Sequence, residues 1–379
     1  MLLSIFAVLL TFGLVIFLHE FGHFLMCKRL KVRVERFAFG FGPELVGVTY
    51  GETRFSLCAF PLGGFVKPAG ESLEDCSGQA DEYFSKSWLH RLAIVASGPA
   101  MNYVLAFVLF FGVVWARGLP EASGEAIIGE LAEGYPAAAA GLKPEDRVLK
   151  VGSEEVRSWA EMADLIHRNP DRAISLTFVR NGELKIAQVT PKLDQASGHG
   201  LIGITPRIEY KDVGVFGAAR EGANQCWLWT KYTVKTLAEK IYRRERPDLA
   251  GPVGIVQMVS KAAHSKWEDL VFLIGLISVA VGFFNILPIP LLDGGHAALY
   301  LWEGLTRRKL TLKALAVANS VGMVFLMSLL LFATYNDLIR IRETRRVKKE
   351  LEAAVPAASS SQNPAKEAAP KQPVGAGKD

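Results

Sequence analysis

Four stretches of this chain stay apolar long enough to cross a bilayer, at roughly 20 residues per crossing, and the segments between them change period and polarity. The first runs from about Leu2 to Met26, and Met1 to Phe17 (MLLSIFAVLLTFGLVIF) carries no charge. The second begins at Ser97-Gly98-Pro99-Ala100-Met101-Asn102 and ends at Ala116, its small residues suiting close helix packing. The third runs from about Leu270 to Leu292 and is interrupted by Asn285-Ile286-Leu287-Pro288-Ile289-Pro290. Two prolines at that spacing cannot both sit in a regular helix, so the backbone opens. Opened backbone at membrane depth is tolerated only inside protein or beside a wet cavity, which places Leu292-Asp293-Gly294-Gly295 in such a cavity. The fourth stretch runs from about Ala314 to Leu338.

From Leu45 to Ala59 the period changes to two, with Val46, Val48 and Tyr50 before Gly51-Glu52 and Phe55, Leu57 and Ala59 after it. That pattern predicts a β-hairpin with a two-residue, Gly-first turn of the II′ kind, and Pro61 to Phe65 follows as a tight turn. A hairpin with one oily face either dips into the bilayer and offers an edge strand or stays on the solvent side. Glu71 to Lys86 reads as a polar surface loop. Between Arg117 and about Tyr210 the pattern is α/β: strands at Ile127-Ile128 and Arg147 to Val151, and a short helix from Pro136 to Leu142. A helix from Ser158 to His167 follows, capped by Ser158 with Glu161 at its third position. Ile174 to Arg180 and Glu183 to Thr190 flank Asn181-Gly182, a strong hairpin signal. Strands around one groove-forming helix suit a peptide-binding module. Val215 to Arg244 is an amphipathic helix with Ala219, Ala223, Cys226, Thr230 and Val234 on one face, and Trp227, Trp229, Tyr232 and Tyr242 suit a membrane interface.

The composition fits this pattern. A chain of 379 residues with mean hydropathy +0.22 is too apolar for an average soluble protein and too charged in places to be buried in lipid throughout. Its net charge of +5 sits largely beside the apolar runs, as in Lys28-Arg29-Leu30-Lys31 and Arg307-Arg308-Lys309. Base so placed reads as a topology signal, and no nucleic-acid partner is expected. The first span then ends in the cytoplasm with the N-terminus outside. Four spans return the C-terminus to the outside, against the preference of the basic run from Arg340 to Lys349. The Ala-, Pro-, Ser- and Lys-rich remainder, 350–379, reads as disordered. Cys27, Cys58, Cys76 and Cys226 form no C-x-x-C pair, so neither a zinc knuckle nor a disulfide framework is expected. The first segment lacks the basic start and A-x-A site of a cleaved signal peptide.

Candidate chemistry closes the first span. In His19-Glu20-Phe21-Gly22-His23 the histidines are four apart, so on a helix both imidazoles reach one metal ion, zinc above all. Glu20 beside them is placed to take a proton from water, the mechanical content of H-E-x-x-H in zinc hydrolases. The bland reading is two core histidines and a capping glutamate. Asp293 is the natural third ligand once it is joined to that helix, and a helix cap if it is not. Asn102 either bonds near the metal helix or makes an ordinary interhelical contact.

HEFGH at 19–23, SGPAMN at 97–102, GYPAAAAGLKPEDRV at 134–148, GPVGI at 251–255 and NILPIPLLDGGH at 285–296 together resemble the bacterial site-2 proteases of the regulator-of-sigma-E type, M50-type intramembrane zinc metalloproteases, here with one PDZ domain. The resemblance implies a polytopic α-helical membrane protein of the bacterial cytoplasmic (inner) membrane. It has four transmembrane helices, a membrane-associated β-hairpin and an inserted α/β PDZ-like domain on the extracytoplasmic side. The expected parts are 1–26, 97–116, 269–296 and 314–338 as spans, 27–96 as a cytoplasmic-side loop with the hairpin, 117–210 as the PDZ-like domain and 211–268 as an interfacial helix and linker. It implies zinc on His19, His23 and Asp293, Glu20 as catalytic acid/base, and Asn285, Pro288 and Pro290 in a loop beside the substrate cleft, where Asn102 is a further candidate. Implied substrates are membrane-spanning proteins such as anti-sigma factors, or remnant signal peptides, with a first-step protease as a candidate partner and the PDZ-like part restricting access. A single PDZ-like module and a basic tail depart from some relatives. Two other classes stay open: a catalytically silent membrane chaperone, which intact ligands and base oppose, and a transporter, which an internal inverted repeat would favour and none is seen.

Overall fold

A computed structural model describes residues 2–132, 134–195, 197–243 and 251–354. Among them, four helices are long and apolar enough to cross a membrane. The first, α1 (Leu2–Arg29), carries His19 and His23 near its basic end. The second, α2 (Trp88–Arg117), begins nine residues before the expected Ser97. Its first two turns hold Trp88, His90 and Arg91 and so look polar in sequence, but the Ser87 hydroxyl accepts from the His90 amide and starts the helix there. SGPAMN therefore lies inside the helix, with Pro99 in its body.

Between these helices stand two long strands, β1 (Val34–Tyr50) and β2 (Thr53–Pro68). The turn is where the sequence puts it: Tyr50 pairs with Thr53, and Gly51 takes a left-handed φ of +60°. Both strands extend beyond the expected Leu45–Ala59, and Pro61 to Phe65 is strand, not turn. Each strand bends and pairs twice, since Phe37 meets both Phe55 and Val66, and Phe39 meets both Leu57 and Gly64. Residues 34–39 therefore lie between 53–58 and 64–68, leaving 64–68 at an edge. Arg54 and Ser56 bond the Glu44 carboxylate, with Arg36 at 3.1 Å, and hold its pKa down at about 2.

Residues 119–211 form the α/β part: β3 (Leu119–Ala122), β4 (Ile128–Leu131), α3 (Pro136–Ala139), β5 (Arg147–Val151), β6 (Glu154–Glu155), α4 (Trp159–His167), β7 (Ile174–Arg180), β8 (Glu183–Val189), β9 (Lys192–Leu193), β10 (Gly200–Leu201), β11 (Ile204–Pro206) and β12 (Ile208–Lys211). The central sheet runs β6-β5-β7-β8, all antiparallel, and Ile128, Val148, Met162, Leu176, Phe178 and Ile202 fill its core. Ser158 caps α4 through the Glu161 amide, and Asn181-Gly182 turns with φ of +54° and +83°. An apolar groove lies between α4 and residues 200–206.

The amphipathic α5 (Gly214–Arg243) packs on α2, with Gly222 against the Phe107 and Phe111 backbone. A helix missing from the sequence reading, α6 (Pro252–Ala263), fills what looked like linker, and its Val259 is buried with Ala7, Val15 and Ile274. Then come α7 (Trp267–Ile286), a loop over 287–292, α8 (Asp293–Thr306) and α9 (Leu312–Ala354). The expected third span is thus two helices, the second beginning at Asp293. The predicted tail lies outside the described residues from 355 onward, while 350–354 belong to α9.

Candidate metal centre

Glycine brings the elements of the site together. A Cβ on Gly22 of α1 would lie 2.3 Å from the Ser97 carbonyl oxygen, and one on Gly98 of α2 would lie 2.3 Å from His23 Nε2 and 2.9 Å from His19 Cε1. Only a hydrogen fits at either position, so α2 closes on α1 with the imidazoles filling the space above Gly98. From the other side, Ile289 and Leu292 bracket a turn whose hydrogen bond (Leu292 N–H to the Ile289 carbonyl) spans 3.1 Å. Pro290 takes its first central position and Leu291 its second, at φ +79°, where a type II turn usually requires glycine. A leucine held there is strained backbone two residues before a polar side chain in the site. Helix α8 then starts against the loop, with no room for side chains: a Cβ on Gly294 would lie 2.2 Å from the Ile286 and Leu287 carbonyl oxygens, and one on Gly295 2.3 Å from that of Ile289.

Three side chains converge as a result. Asp293 Oδ2 lies 3.0 Å from His19 Nε2 and 3.5 Å from His23 Nε2, and the two Nε2 atoms are 3.3 Å apart. His23 Nδ1 is 2.8 Å from the Ile94 carbonyl, which only accepts, so the proton sits on Nδ1 and Nε2 presents a lone pair. Asn102, fully buried, lies 3.1 Å from His19 Nδ1, and its Oδ1 has no partner, so the carboxamide turned end for end accepts from Nδ1 and frees His19 Nε2 in the same way. Asp293 Oδ2 is likewise buried without a hydrogen-bond partner. Three acceptors facing one another at this range repel unless a cation sits among them. Their spacing matches the ~3.3 Å that tetrahedral bonds of about 2.0–2.1 Å impose, so the donor set fits a divalent ion of zinc's kind.

Glu20, His19, His23 and Asp293 line one cavity of about 640 Å³. Its wall also includes Phe65 and Val66 of β2, Asn285 at the end of α7, Leu312, Leu315 and Asn319 of α9, and His296 of α8. The Glu20 carboxyl meets the Val66 backbone amide, and a Cβ on Gly64 would lie 3.7 Å from Glu20 Cγ. The strand edge beside the site is therefore 64–68 and not the Val46–Ala59 hairpin. Of the residues expected around the cleft, Asn285 lines it. Pro290 lies instead beneath α9, where a Cβ on Gly322 would fall on the Pro290 carbonyl, and Pro288 is exposed. Asn102 stands behind His19, off the cleft wall. The sequence alone does not single out Gly98, Leu291, Val66 or His296; the small-residue run around Gly98 and the Gly-rich start of α8 are its only signals there.

Comparison with known proteins places this geometry in context. The family model described as peptidase family M50 matches residues 7–329. A candidate zinc metalloprotease of Clostridium acetobutylicum is 33% identical over 332 residues, covering 87% of this chain and 96% of its own. One of Rickettsia conorii is 31% identical over 355 residues, covering 89% and 99%. The zinc metalloprotease RasP of Geobacillus kaustophilus is 27% identical over 415 residues, covering 88% and 97%. Among solved structures, the PDZ domain of an SdrC-like protein from Listeria monocytogenes is 19% identical, covering 23% of this chain and 90% of that one, with a TM-score of 0.20.

Proposed function

We propose, on the premise that this chain belongs to peptidase family M50, that it cuts peptide bonds inside the membrane-spanning segments of other proteins with the site on α1 and α8. The chain is a multi-pass membrane protein and a zinc metalloprotease of the site-2 type. In this reading His19, His23 and Asp293 hold zinc and Glu20 is the acid/base. The observation that carries it is the meeting of two imidazoles and one carboxylate, 3.0–3.5 Å apart, beside a glutamate in one cavity.

Zinc supplies Lewis-acid activation of the peptide carbonyl and of water. Glu20 takes the proton of the attacking water and returns it to the leaving amine. The Ile94 carbonyl and Asn102 fix the two rings so that their Nε2 lone pairs stay directed inward. A substrate helix hides its carbonyls in its own hydrogen bonds, so it unwinds before attack, and in lipid each unmade bond costs several kcal/mol. The free edge at 64–68 and the Asn285 side chain supply replacements by strand addition.

His19 and His23 stand ten and six residues from Arg29, about 15 and 9 Å along the helix, so the centre lies in the cytoplasmic half of a core about 30 Å thick. The four long helices are the spans, the N-terminus and the PDZ-like residues 117–210 lie outside a bacterial inner membrane, and exposed Leu45, Val46, Val48 and Phe60 of the hairpin face lipid. Substrates are membrane-spanning proteins of the anti-sigma-factor kind or remnant signal peptides, received after a first cut by another protease. Metal analysis of the purified protein tests the centre. Wild type and Glu20→Gln carry one equivalent of zinc, and His23→Ala and Asp293→Ala carry little or none; a full equivalent in Asp293→Ala would remove α8 from the site.

A further inference from the structure

His296 lies one helical turn beyond Asp293 on the wall of the same cavity, and no role assigned above uses it. Its surroundings are unusually fixed. The imidazole stacks on Tyr300 at 28° with ring centres 6.3 Å apart, and Tyr300 is 2% exposed. The Tyr83 hydroxyl bonds the Tyr300 hydroxyl at 3.1 Å. The Arg91 guanidinium lies 4.7 Å from the Tyr300 ring centre and 2.6 Å from Glu303, one turn further along α8. A buried ion pair, a tyrosine pair and a ring stack thus brace one imidazole from α2 and from the loop before it.

One nitrogen of that imidazole is left without a partner. Its Nδ1 is buried and has no hydrogen-bond partner. Orphaned buried N–H groups are rarer in proteins than under-satisfied acceptors, so the ring proton is assigned to Nε2. Nε2 is the nitrogen left for the cavity. We propose that His296 is a substrate-binding residue that donates from Nε2 to a backbone carbonyl of the unwound segment. This rests on the protease reading and extends it: Asn285 lies in the last turn of α7 and His296 in the first turn of α8, so along the chain the two bracket the loop and Asp293. Unwinding uncovers carbonyls on both sides of the scissile bond, and a donor braced in advance holds one without further ordering of the enzyme. The Arg91–Glu303 pair then acts through Tyr300 as a positioning group.

The test uses full-length protein in vesicles with a single-span model substrate, comparing wild type, Glu20→Gln, His296→Phe and His296→Gln. Phenylalanine keeps the stack and removes the donor, whereas glutamine restores an N–H. A neutral hydrogen bond made equally in the bound and transition states predicts roughly a three- to tenfold rise in KM for His296→Phe, with kcat and zinc content unchanged and partial recovery in His296→Gln. An unchanged KM, as expected if only an ordered water meets the ring, overturns the proposal. Loss of zinc overturns it too, because the role would then be support of the metal, and so does a fall in kcat alone with an altered pH profile, which would mark proton transfer. If wild type cuts no more than Glu20→Gln, the protease reading itself fails and this inference falls with it, a result distinct from every outcome above.

Discussion

Gly98 carries no side chain because His23 occupies the space where one would stand. An added methyl, 2.3 Å from Nε2, displaces the imidazole or pushes α2 off α1. Gly98→Ala is therefore predicted to weaken zinc binding about 10- to 100-fold, the usual cost of disturbing groups that orient metal ligands. Competition against a chelator of known affinity measures this, and unaltered affinity would mean that the helices part without cost. That His19 and His23 share one face was legible from four-residue spacing alone, because a helix sets that geometry locally. Gly98 was not: its neighbour is 75 residues away, and a small residue in a span marks a close approach without naming what approaches. Leu291 was illegible for a different reason, since nothing in a leucine announces a left-handed φ of +79°.

Among the elements, those defined by a two-residue signal were read at the right residues. Gly51-Glu52 and Asn181-Gly182 turn where expected, because turn chemistry is local. The first half of β1 was missed because Gly40, Gly42 and Pro43 resemble a loop, and its pairing with residues on both sides is a nonlocal contact. The missed α6 starts with Pro252 in its first turn after Gly251, a pair that reads equally well as a turn. What marks that helix is remote: buried Asp337 of α9 accepts from the amides of Gly251 at 3.1 Å and Gly254 at 2.9 Å, a cap supplied by another helix. Helix α9 exposes Val317, Val321, Val324 and Leu331, so this cap is a main tie between it and the rest. Asp337→Ala should lower stability by about 2 kcal/mol, as loss of a cap with buried donors does, while zinc content stays at one equivalent. Thermal unfolding in detergent reads the change, and an unchanged midpoint would show that packing alone holds α9.

For the whole molecule, the candidate metal centre is assembled from the first helix and from a helix nearly 300 residues later, and three segments between them border it: α2 through Gly98, β2 through its edge, and the loop 287–292 through its turn. The charge pattern predicts an orientation for the first span, but the basic run after Leu338 is at odds with four crossings and nothing in α9 explains it. The account stands on where the cut falls. In vesicles, mass spectrometry of a single-span substrate incubated with wild type and with zinc-loaded Glu20→Gln locates the broken bond. The prediction is one cut within the apolar segment, in the half nearer its cytoplasmic flank, and none with the variant. Cleavage confined to the water-exposed flanks, or equal cleavage by both proteins, would contradict it.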